Sequence, residues 1–88
     1  MSTYVVYWTE NEQISGSLQQ RYTLIEAANA AARTWLATTA GERPYVERLL
    51  TKHADGRIDV AFDFAGRDGA FGDPMGGGFI AAWVEEER

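Results

Sequence analysis

TLIEAANAAARTWLATT, residues Thr23 to Thr39, is the stretch from which the architecture is read. Leu24, Ala28, Ala31 and Trp35 recur at the spacing of one helix face, and Ile25, Ala32 and Leu36 widen that stripe. Glu26, Asn29 and Arg33 fall on the opposite side. Thr23 and Glu26 have the S/T-x-x-E spacing of a capping box, which satisfies amide donors orphaned at a helix start. Gly41 supplies a helix stop, and Pro44 lies three residues beyond it. The stripe is rich in alanine, so this helix can lie close against a sheet, with Trp35 as its large anchor.

Strand patterns flank the helix. From Thr3 to Glu10, Tyr4, Val6 and Trp8 share one face and Val5, Tyr7 and Thr9 the other. These aromatic and β-branched types suit a pleated surface. Glu10-Asn11-Glu12-Gln13 reads as a polar turn, and Ile14 to Tyr22 as the return strand, with Gly16 as a bulge or twist. Tyr45–His53 and Arg57–Ala65 form a second hairpin around Asp55-Gly56, a strong turn signal. With those two residues as the loop, Lys52 faces Asp59 and Arg48 faces Asp63. The same register turns Ile58, Val60, Phe62 and Phe64 toward the helix, near Leu49 and Thr51. Phe79 to Glu85 is the last strand, and Glu85-Glu86-Glu87-Arg88 a charged, solvated tail. The sum is an α+β fold, ββαβββ, or βαβββ if Ile14–Tyr22 is a loop. Either is a mainly antiparallel sheet with one helix packed across one face.

The chain has 88 residues, which sets an expectation of one domain, residues 1–88. Domains of this size bury roughly 60–65% of the surface that the unfolded chain exposes, leaving little room for a deep site. The absence of Cys excludes disulfides, thiolate metal sites and a cysteine nucleophile. Met1-Ser2-Thr3 leads straight into the first strand without the basic and apolar regions of a signal peptide, so a cytoplasmic protein is expected. No apolar run approaches the ~18 residues of a bilayer span, and no membrane partner is expected. A net charge of −5 disfavours direct contact with nucleic acid, which needs a basic surface.

Catalytic and metal-binding patterns are not evident. Gly66 to Gly78 holds six of the nine glycines but has neither Lys nor a following helix, so no phosphate cradle is expected. Asp68 and Asp73, five residues apart, do not make a calcium loop. Asp55, Asp59 and Asp63 share a strand face, with Arg48 and Lys52 neutralising two of them. His53, the single histidine, has no second His or Cys to join it. Ser2, Ser15 and Ser17 lack a nucleophile-elbow context. Trp8, Trp35 and Trp83 read as core or seam residues. No catalytic residue, metal ligand or cofactor is therefore assigned, and the chain is read as a non-enzyme.

The layout resembles small phage-borne anti-CRISPR proteins of the type I systems. The likeness rests on a first strand containing Thr3-Tyr4, a polar loop, and a helix approached through Gln20-Arg21-Tyr22-Thr23. An Ala-rich helix from Ala27 to Leu36, a Gly41-Glu42 pair, a hairpin, a loop and a short strand ending in acidic residues complete it. It covers most of the chain, includes no motif with a chemistry, and transfers no functional residue. It implies a non-enzymatic protein-binding module in the host-cell cytoplasm that sterically blocks a CRISPR surveillance complex.

The expected contact residues are Asp68, Phe71, Asp73 and Met75 in the glycine-rich loop and Glu85 and Glu86 in the tail. Phe71 and Met75 either anchor a partner or fold back on the core. The alternatives are a homo-oligomeric structural or accessory phage protein, homodimeric through its second sheet face, and a small ligand-binding domain.

Overall fold

The computed structural model describes residues 2–66 and 77–87. Its elements run β1 (Thr3–Glu10), β2 (Ile14–Tyr22), α1 (Ile25–Ala40), β3 (Tyr45–Lys52), β4 (Ile58–Phe64) and β5 (Phe79–Glu87). This is the ββαβββ order, with Ile14–Tyr22 a strand. The strands form one sheet in the order β2-β1-β5-β4-β3, each neighbouring pair antiparallel. The last strand therefore lies at the centre, between the first and the fourth.

One face of the sheet is covered by α1. Ala28, Ala32, Leu36 and Ala40 are its buried residues, one per turn. They meet Val6 of β1, Ile80, Ala82 and Val84 of β5, and Val60, Phe62 and Phe64 of β4. Small side chains at this contact let the helix approach the strands closely. Trp35 stacks on Trp8, with ring centroids 5.0 Å apart and planes 20° from parallel.

The helix starts later than the capping box predicts. Leu24 holds the N-cap position in extended backbone, without a side-chain cap. The first helical bond runs from Ala28 N to Leu24 O, 3.1 Å. A Thr23–Glu26 box needs Thr23 itself at the cap, but Thr23 and Leu24 are used to cross from β2 to the helix. Leu24 consequently lies in solvent, outside the apolar stripe. Gly41 ends α1 as expected, with φ of 60° and its N–H donated to Ala37 O.

The second hairpin is shifted from its predicted register. His53 N donates to Arg57 O (2.8 Å) and Gly56 N to His53 O (3.0 Å), enclosing a three-residue loop, Ala54-Asp55-Gly56. Gly56 has φ of 100°, the left-handed residue such a loop requires. The loop moves the pairing by one residue, so Thr51 lies opposite Asp59 and Lys52 opposite Ile58. An irregularity between Leu49 and Thr51 moves it by one more, placing Leu49 opposite Val60 and Arg48 opposite Ala61. Ile58, Val60, Phe62 and Phe64 still face the helix, as predicted, but Thr51 shares the other face with Asp59. Lys52 does not pair with Asp59; His53 does, 3.1 Å away.

Two further expectations change. The β1–β2 ladder is irregular between Val5 and Tyr7, not at Gly16, which lies opposite Trp8. The acidic tail is ordered strand: Glu85, Glu86 and Glu87 pair with Val5, Tyr4 and Thr3. β1 begins at Thr3, and extending β5 satisfies the backbone groups of its first turnless residues.

Candidate functional site

Directly opposed residues of neighbouring strands share a face, and successive residues alternate between faces. Tyr7 and Thr9 of β1 thus lie with Trp83 and Ala81 of β5 on the side away from α1. Among the described residues, no helix or strand covers this side. Its middle is made of small residues, with Ala61 and Ala81 buried, and larger groups stand around them. The result is an open trough of about 580 Å³ whose lining includes Tyr7, Thr9, Leu50, Phe79, Ala81 and Trp83. Among the described residues, Glu12 and Asp59 are its carboxylate lining residues.

Tyr7 and Trp83 stack across the β1–β5 ladder, centroids 6.2 Å apart and planes 17° from parallel. Trp83 Nε1 donates to Glu85 Oε2 at 3.1 Å, which fixes the indole edge. Each ring stays partly exposed. A pair of stacked, half-exposed rings presents a large, rigid apolar surface with little side-chain entropy left to lose.

Among the described residues, the basic groups on this side are held by carboxylates of the same chain. Arg48 donates two hydrogen bonds to the buried Asp63, at 2.7 and 3.0 Å. Those bonds hold the Arg48 pKa above its ordinary value. Arg21 Nε lies 2.8 Å from Glu87. His53 and Asp59 are partners, so Asp59 is not a free carboxylate. At the hairpin tip, the Arg57 backbone N–H, its guanidinium and the His53 charge hold the Asp55 carboxyl below its usual range.

Among the described residues no three His, Asp or Glu side chains converge to hold a metal ion. His53 and Asp59 form a pair that could orient an imidazole, yet no nucleophile hydrogen-bonds to it among those residues. The arrangement offers a contact surface.

Of the sequence-predicted contact residues, Glu85 and Glu86 fall within the described residues. Asp68, Phe71, Asp73 and Met75 lie outside the described residues. Glu85 and Glu86 fall on opposite faces of β5: Glu85 bonds to Trp83, while Glu86 accepts a hydrogen bond from Ser2 at 2.7 Å. Asn29, placed on the outer helix side by periodicity, clamps the helix to the second hairpin: it donates to Gly56 O (2.9 Å) and accepts from Ile58 N (3.3 Å).

The chain matches no protein-family model, no curated protein and no solved structure. No helix among the described residues is long and apolar enough to cross a membrane.

Proposed function

We propose that this chain is a non-enzymatic protein-binding module that docks a partner on the open face of its sheet. The observation that supports the reading is the Tyr7–Trp83 stack at the edge of an apolar trough on the side without a covering helix. Rigid aromatic anchors of this kind carry most of the binding energy in protein interfaces.

Charge points to the partner's chemistry. Arg48 and Arg21 are neutralised within the chain, whereas Glu12 is exposed beside the trough and the chain carries −5 overall. The fitting partner is a protein that projects an apolar side chain ringed by Lys or Arg. Proteins that handle nucleic acid carry such basic surfaces. Together with the anti-CRISPR layout, this charge pattern supports a reading in which the partner is a type I CRISPR surveillance complex in the host cytoplasm, inhibited by steric occupation.

Binding to an immobilised type I surveillance complex tests the reading. Wild type should bind, raised salt should weaken it, and Tyr7→Ser with Trp83→Ser should abolish it while the fold persists by circular dichroism. Binding that survives the double substitution would remove the trough from the interface. No binding by wild type would remove this partner.

A further inference from the structure

We propose that β3 pairs antiparallel with the β3 of a second copy, so that two sheets continue into one through a two-fold axis. The two edges of the sheet are not equivalent. β2 is guarded: its ladder to β1 is irregular, and it presents Ser15, Ser17, Gln19 and Gln20. Irregular and polar edges resist further pairing. β3 has an irregularity of its own between Leu49 and Thr51 and carries Glu47, Arg48 and Lys52, but it alternates these with a longer exposed apolar set. All of its residues are exposed, including Tyr45, Val46, Leu49 and Leu50, with Leu49 56% exposed. Among the described residues, no backbone group of β3 bonds to anything beyond β4.

The irregularity at Leu50 makes β3 complementary to itself. A two-fold axis normal to a sheet keeps the faces, so directly opposed residues must come from the same face. In a regular strand this requires residue numbers of like parity. On β3 that would set Glu47 or Arg48 against itself in the registers centred on them. The extra residue changes the parity: Glu47 and Lys52 both lie on the helix side, opposite Phe62 and Ile58. Arg48 and Thr51 both lie on the trough side, opposite Ala61 and Asp59. Centring the axis between Leu49 and Leu50 therefore sets Glu47 against Lys52 of the second copy, twice, and Arg48 against Thr51 of the second copy, while Leu49 and Leu50 at the axis fall on different faces and stay outside the regular ladder.

The charges fit this register. Glu47 already meets Arg33 of α1 through Oε1, which leaves Oε2 for a second cation. Lys52 has no ion-pair partner among the described residues. With one Glu, one Arg and one Lys, β3 takes no part in the acidic excess that would otherwise hold two copies apart. Leu50 also lines the trough, so the axis would join the two troughs into one longer surface. The pairing does not depend on the proposed partner, and its test uses this protein alone.

Sedimentation velocity over a wide concentration range is the experiment, with circular dichroism melts to confirm folding. Wild type should show a monomer–dimer equilibrium. Lys52→Glu should weaken association about tenfold, since two exposed pairs become repulsive. The charge swap Glu47→Lys with Lys52→Glu should restore it. Wild type that stays monomeric overturns the proposal. So does a dimer indifferent to Lys52→Glu, or one the swap does not restore. Hydrogen exchange of wild type serves as a second measurement: β3 amides should gain protection as concentration rises, and unchanged exchange overturns the pairing.

Discussion

The indole of Trp8 lies over Gly16, its partner across the β1–β2 ladder. A Cβ at Gly16 would stand 2.7 Å from Cζ2 of Trp8. The indole cannot retreat freely, because Trp35 is stacked on it. Gly16→Ala should therefore destabilise the protein by about 1–3 kcal/mol, the usual cost of overpacking. Urea unfolding measures it. A neutral or stabilising result would show that the ring yields.

Arg48→Ala should cost about 1–2 kcal/mol. Asp63 is buried, and it would lose both guanidinium hydrogen bonds and keep an unpaired carboxylate. The figure is at the low end for a charged group because Arg48 is half exposed and water can partly replace it. Lys52→Ala, at the neighbouring position predicted to pair with Asp59, should change monomer stability by no more than about 0.5 kcal/mol. Comparing the two by denaturant melts at low protein concentration separates a formed ion pair from an unformed one.

Asp55 gives a pH dependence of known sign. Its carboxyl is depressed below its ordinary value of 3.8, chiefly by the backbone N–H of Arg57. A depressed folded-state pKa adds stability above the unfolded value and loses it as pH falls through the folded one. The stability gap between wild type and Asp55→Asn should be complete at neutral pH and shrink below pH 3.8. A gap that is constant with pH would show that the carboxylate charge is not what matters.

Asn11 and Glu12 occupy left-handed backbone, with φ of 54° and 60°. Glu12 pays a steric cost there, so Glu12→Gly should stabilise the protein by about 0.5–1 kcal/mol. Asn11→Gly should not, because the side-chain Oδ1 of Asn11 accepts the Phe79 N–H at 2.7 Å and that bond would be lost. Thermal melts of the two variants should move in different directions.

Much of the fold is legible because its signals are local. Alternation over Thr3–Glu10 and the polar turn after it mark β1 and β2 to their ends. The Ala28–Ala32–Leu36 spacing marks the face of α1 that packs, and Gly41 marks its stop. The start of α1 is not legible, since Thr23 looks like a cap and only the path from β2 moves that role to Leu24. For the site, apolar residues on both faces of β1 and β5 are visible, but Tyr7 and Trp83 come from opposite ends of the chain.

The sequence by itself determined the helix and four of the strands, left Ile14–Tyr22 as strand or loop, and marked the residues each element can bury. Side-chain periodicity and turn chemistry act over a few residues, so they survive without knowledge of neighbours. Only the tertiary structure decided that β5 lies between β1 and β4, that Glu85–Glu87 join the sheet, and that Leu50 shifts the β3 register. Those choices depend on backbone groups and side chains from distant segments meeting on one surface, where the whole sheet selects the pairing.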